Sequence, residues 1–169
     1  MTGEDAGTIA DALRSAERPV LIVGGGGWSA EAARHARHFA ETWRIPAIAG
    51  FRCQDYIDNR SDCYIGNLGL GANPALLAAV RDSDLVIALG TRLEDVSTNG
   101  YTLFSVPLAQ QRLIHVHADA GEIGRVYQPW LGIVSGSPAA LTRLAGLTHG
   151  APAGDAARVS RLRALRQDY

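Results

Sequence analysis

The chain has 169 residues, 47% of them hydrophobic, with a net charge of −1. That describes one globular domain able to bury a core without disulfides or metal, and it excludes a disordered chain and gives nucleic-acid binding no electrostatic support. No apolar run reaches the roughly 18 residues of a membrane helix, the N-terminus lacks the pattern of a signal peptide, and two cysteines, Cys53 and Cys63, fit a reducing cytoplasmic setting.

Residues 8 to 16, "TIADALRSA", read as a short helix with Ile9, Ala12 and Leu13 on one side, stopped by Pro19. The apolar run 20 to 23 reads as a strand buried on both faces. A helix is expected over 29 to 43, with Ser29 as N-cap and Glu31 at its positive end. Its apolar face is Ala32, Ala36, Phe39, Ala40 and Trp43. "IPAIAG", 45 to 50, is a second strand, followed by a long polar connection, 51 to 72, with a very short strand at 63 to 66. A connection of that length in a compact domain is usually functional or partner-facing.

Asn73 as N-cap and Pro74 at the first helical position open the next helix. Strands are expected at 84 to 90, 112 to 119 and 131 to 136, with a polar loop at 91 to 104. A closing helix spans 137 to 147, with Ser137 as its cap and Pro138 in its first turn. Residues 150 to 169 turn arginine-rich and read as a linker or a solvated helix leading out of a domain that ends at 149. Alternating helices and apolar strands argue an α/β fold, a three-layer Rossmann-like parallel sheet of about six strands with helices on both faces. The strand-to-helix junctions gather at the carboxyl edge, where open sheets of this kind bind ligands.

The glycine run at 24 to 27 fits the dinucleotide fingerprint in one register, Gly25, Gly27 and Ala30. Glycines let backbone N–H groups approach a pyrophosphate at a helix N-terminus. The fingerprint also needs an acidic residue about 20 positions on. Gly50, Phe51 and Arg52 stand there, and the nearest acid is Asp55. A nicotinamide-dependent oxidoreductase domain is therefore weakly supported, and a tight turn serving helix packing is the plainer reading. Trp28 either stacks on a ring or covers the helix end.

"RPVLIVGGG", "YIGNLGLGANP", "DSDLVIALGTRLED" and "RLIHVHADAGEIG" together resemble the central domain of thiamine-diphosphate-dependent enzymes of the acetolactate synthase and benzoylformate decarboxylase type. The resemblance covers roughly residues 8 to 147. It implies a parent enzyme, a C–C lyase or transferase acting on a 2-keto acid, that uses thiamine diphosphate and Mg²⁺. The cofactor is held by flanking pyrimidine-binding and diphosphate-binding domains, and homo-oligomers are the rule. The diphosphate-binding domain carries a Gly-Asp-Gly motif, which this chain lacks. The resemblance thus implies a non-catalytic middle domain, inactive alone, that organises assembly.

In flavin-dependent members this middle domain binds FAD along the carboxyl edge, in others ADP, and in many nothing. Carried over, the cofactor-facing positions are Gly24, Gly25 and Gly26 in the first loop, and Gly66, Asn67, Leu68 and Gly69 in the second. Gly90 closes strand 84 to 90, Thr91 and Arg92 follow it, and His117 and Ser137 complete the edge. Three departures stand out: Val96 replaces an arginine, His117 a strand-end carboxylate and Ser137 an aspartate. Each lost charge-assisted hydrogen bond removes about 1.5–3 kcal/mol, and each 1.4 kcal/mol is about tenfold in affinity, so the FAD or ADP site is weakened. A freestanding nucleotide-binding module is the alternative function. His35 and His38 have metal-ligand spacing but no third ligand and read as a surface pair. Cys53 and Cys63 have no zinc spacing, and Ser97 lacks a nucleophile elbow.

Overall fold

A computed structural model describes residues 1–148 and 155–168. Helix α1 (Gly3–Ser15) leads into β1 (Pro19–Val23), α2 (Ala30–Trp43), β2 (Ala47–Ala49) and β3 (Tyr64–Asn67). Then follow α3 (Pro74–Arg81), β4 (Leu85–Leu89), β5 (Arg112–His117), β6 (Leu131–Val134), α4 (Ser137–Ala145) and α5 (Asp155–Gln167). The six strands form one parallel sheet in the order β3-β2-β1-β4-β5-β6. β1 and β4 are paired from Pro19↔Leu85 to Val23↔Leu89.

The order reverses between β1 and β4. The α2 crossover carries the chain one way, to β2, and the α3 crossover carries it back, from β3 to β4. Crossovers of one hand running in opposite directions put their helices on opposite faces. α2 packs with α4, and α3 with α5. The sheet is therefore the expected three-layer α/β sandwich. Every residue of β1, β2 and β4 is buried, which is why these strands read as continuous apolar runs. The α2 face expected from the sequence is the buried one: Ala32, Ala36, Phe39, Ala40 and Trp43.

The differences have local causes. α1 starts five residues before the expected 8 because Thr2 and Asp5 form a capping box: the Asp5 N–H donates to Thr2 Oγ1 at 3.1 Å and the Thr2 N–H to Asp5 Oδ2 at 2.6 Å. Ser137 is not the cap of α4. Gly136 takes that place with extended backbone, and Ser137 is the first helical residue. Several strands end one or two residues short of the expected limits, where the chain turns into the loops. A short 3-10 turn, Gln54–Tyr56, breaks the connection after β2.

The arginine-rich tail is corrected from a solvated helix to a docked one. Arg158 is buried and donates Nη2 to the carbonyls of Leu13 and Ala16. Arg161 reaches Ala79 O at 2.9 Å, and Arg166 reaches Tyr64 O at 2.9 Å and Asn59 O at 2.8 Å. The Asn73 side chain holds Asp168 O at 2.8 Å. Exposed carbonyls at helix ends need donors, and α5 supplies them. Residues 149 to 154, the expected junction, lie outside the described residues.

Candidate functional site

The site grows from the carboxyl ends of β1 and β4, where the sheet order reverses. The ladder continues into the turns: Gly24 N–H donates to Leu89 O at 3.0 Å, and Gly90 N–H to Val116 O at 2.8 Å. Gly25 and Gly90 both sit at positive φ, 74° and 75°. A Cβ on Gly25 would lie 1.8 Å from Gly90 O, and one on Gly90 would lie 2.4 Å from both Gly24 O and Ser137 Oγ. A Cβ on Gly24 would meet Thr91 Cβ at 2.9 Å. The structure thus brings Gly24, Gly25, Gly90, Thr91 and Ser137 into direct contact. Here the glycines allow two turns to pack backbone to backbone. Gly26, by contrast, is exposed, with nothing within 4 Å of a Cβ.

Two carbonyls of the first turn already have side-chain donors. Trp28 Nε1 donates to Gly24 O and the Tyr56 hydroxyl to Gly25 O, each at 2.8 Å. The two rings stack, with centroids 4.5 Å apart and planes 14° apart. Cys53, buried beneath and beside the Gly25 N–H, donates its Sγ–H to Phe51 O at 3.3 Å, and burial raises its thiol pKa. Trp28 therefore stacks on a ring of its own chain and covers the turn.

The other expected positions are spread along the edge. His115 supports the second turn from below, with Nε2 2.9 Å from Thr91 O. A carbonyl only accepts, so Nε2 carries the proton. Burial depresses this imidazole's pKa. Thr91 Oγ1 accepts from the Leu93 N–H at 3.1 Å. His117 Nδ1 accepts from the Asp119 N–H at 3.0 Å and caps its own turn. Arg92 is exposed. In the second glycine loop Leu68 is buried in the core, while Leu70 is 84% exposed. Gly66 and Gly69 take positive φ, and a Cβ on Gly69 would touch the Phe51 ring at 2.8 Å.

Residue-level reading missed Tyr56 and Cys53, which the 3-10 turn swings onto the first glycine loop. It also missed the Ser97 bridge: Ser97 Oγ accepts from Phe51 N–H at 3.3 Å and donates to Glu94 Oε1 at 2.6 Å. Only the polarity of the two long loops hinted at these contacts. Among the described residues, no group of three or more His, Cys, Asp or Glu is placed to hold a metal ion, and no helix is long and apolar enough to cross a membrane.

Known proteins share this architecture's sequence. Residues 7–144 match the family described as thiamine pyrophosphate enzyme, central domain. Acetolactate synthase large subunit of Corynebacterium glutamicum is 31% identical over 132 residues, 78% of this chain and 21% of that protein. Glyoxylate carboligase of Escherichia coli O157:H7 is 34% identical over 137 residues, 78% of this chain and 22% of that protein. A 3D-(3,5/4)-trihydroxycyclohexane-1,2-dione hydrolase of Halalkalibacterium halodurans is 34% identical over 95 residues, 56% of this chain and 15% of that protein. The chain spans about a fifth of the length of the acetolactate synthase and glyoxylate carboligase relatives. With the match running from α1 through α4, the chain belongs to the central-domain family of thiamine pyrophosphate enzymes.

Proposed function

We propose that this chain is the non-catalytic middle domain of a larger thiamine-diphosphate-dependent enzyme that makes or breaks C–C bonds of 2-keto acids. Its role is to space and orient flanking pyrimidine-binding and diphosphate-binding domains within a homo-oligomer. Residues 1–149 are the domain proper, and α5, docked on it, precedes the diphosphate-binding domain. Names such as acetolactate synthase and glyoxylate carboligase among its relatives support that reaction class. The observation that carries the scaffold role is the interlock of the two glycine turns at the carboxyl edge, where Gly24, Gly25, Gly90 and Ser137 spend their contacts on one another. The described residues offer no metal-binding group and the sequence no Gly-Asp-Gly, so the donor set of a Mg²⁺–diphosphate cofactor does not fit this chain. Incubated with thiamine diphosphate, Mg²⁺ and pyruvate, the purified chain should release no CO₂, and turnover would overturn the reading.

A second reading, FAD or ADP on the carboxyl edge, is favoured by the position of the exposed glycines at the reversal of strand order, where doubly wound sheets bind nucleotides. It predicts that His117→Asp, which supplies a strand-end carboxylate, tightens FAD or ADP by about tenfold in calorimetric titration. No heat with either protein at high-micromolar ligand removes it.

A further inference from the structure

The two side edges of the sheet are built differently. At the β3 edge α5 lies against the strand, with Arg166 bonded to Tyr64 O. β6, at the other edge, pairs only with β5 among the described residues. Its outer row of backbone N–H and C=O groups is a template for a further strand. Edges are usually blunted by charge, and this one is not. No residue between Arg125 and Arg143 is charged, and none between Asp95 and Arg112, in a chain that is 20% charged. The two neutral stretches meet. The Gln128 N–H donates to Pro107 O at 2.7 Å, Leu108 bridges to Gln128, and the Phe104 and Tyr127 rings pack edge to face with centroids 5.5 Å apart.

Large apolar side chains stand exposed on these stretches: Tyr101 at 41%, Val106 at 55%, Leu108 at 62%, Trp130 at 52% and Val134 at 57%. Among the described residues the only other large hydrophobic so exposed is Leu70, on the second glycine loop. At these exposures the five present on the order of 500 Å² of side-chain surface, over half of the roughly 800 Å² that each partner gives to a standard interface. Charge selects the occupant. Under a two-fold axis a surface meets itself, so a charged patch would face its own sign, and a neutral patch escapes that repulsion. The flanks agree. β5, one strand in, has Arg112 at its amino end and Asp119 two residues beyond its carboxyl end. An antiparallel mate sets the amino end of one copy beside the carboxyl end of the other, cation towards carboxylate. β6 has only four residues and Pro129 precedes it, which favours one closed contact over open-ended stacking.

We infer that β6 is the contact edge for a second copy of this chain, joined antiparallel about a two-fold axis so that one sheet runs through both copies. The inference rests on the homo-oligomer reading and names the surface. Sedimentation equilibrium of the full chain should show a reversible dimer at about 100 µM. Leu108→Lys and Val134→Lys, both at exposed positions outside the core, should each weaken association about tenfold or more, by setting a cation on an apolar contact and on its mate. Leu70→Lys, equally exposed but on the second glycine loop, should leave association unchanged. Far-UV circular dichroism checks that each variant is folded. A dimer that both edge variants leave intact, or that Leu70→Lys weakens as much, overturns the inference and spares the homo-oligomer reading. A chain that is monomeric at that concentration overturns it as well and assigns the edge to a flanking domain of the parent enzyme. The scaffold role fails separately, by turnover, whatever the sedimentation shows.

Discussion

Gly25 and Gly90 face each other across the reversal point so closely that a Cβ on Gly25 would sit 1.8 Å from the Gly90 carbonyl oxygen. Neighbouring Gly26 has open space and no positive φ. Gly25→Ala should therefore destabilise the fold by about 3 kcal/mol or more, adding a left-handed alanine to a backbone clash. Gly26→Ala should stay within about 0.5 kcal/mol of the parent chain. Urea unfolding of the two variants separates a packing role from a generic need for glycine. Equal losses would refute the interlock.

The docking of α5 rests on Arg158, whose guanidinium lies buried against the Leu13 and Ala16 carbonyls. Removing it orphans those carbonyls at the end of α1, at about 1.5–3 kcal/mol for hydrogen bonds to a charged group. Arg158→Ala should lower global stability by that order and open α5 to proteolysis before the core. A variant as protease-resistant as the parent would show that Arg161, Arg166 and Leu162 hold the helix alone.

Much of this fold was legible because its strands are unambiguous. Buried parallel strands leave continuous apolar runs such as Val20–Val23 and Leu85–Leu89, and the Asn73-Pro74 and Ser29 caps mark helix starts locally. The start of α1 was also written in the chain, as Thr2 and Asp5, a capping spacing read too late by five residues. The docking of α5 had no local signature, since Arg158 meets Leu13 across 145 positions. The site divides the same way. Glycine-rich turns announce themselves, but that Gly25 needs room for Gly90 O is a long-range fact. The engagement of Tyr56 and Cys53 with the first turn depends equally on a 3-10 turn that the polar composition of 51 to 72 did not specify.

Acid should destabilise the chain in two separate windows. Burial holds the His115 pKa below its usual value, so below the unfolded value of about 6.5 the unfolded chain binds more protons and stability falls as pH drops. The slope is at most about 1.4 kcal/mol per pH unit for one proton. Asp58 is held at about 2 by the Arg60 side chain first, then the Arg60 N–H and Arg37. Its stabilisation is present above the unfolded value of about 4 and is lost as pH falls towards the folded value, with a small amplitude because the group is solvent-screened. Urea midpoints measured across pH should show His115→Gln flattening the upper window only and Asp58→Asn the lower only. An unchanged upper window in His115→Gln would assign that slope to another group.

The two donors on the first glycine turn should differ in worth although their bonds have the same length. Trp28 satisfies the carbonyl of Gly24, which is buried, and Tyr56 that of Gly25, which is exposed. Trp28→Phe keeps a ring for the stack but leaves a buried acceptor without a donor, a loss of about 1–3 kcal/mol. In Tyr56→Phe water replaces the hydroxyl at Gly25, and the cost should stay near the roughly 0.5 kcal/mol floor for a single hydrogen bond. Thermal or urea unfolding of the two variants reads the difference directly, and near-UV circular dichroism checks that the aromatic stack survives in each. If Tyr56→Phe proved as costly as Trp28→Phe, the Gly25 carbonyl would be shielded from water, and the outer rim of the first glycine turn would be closed rather than open to a ligand.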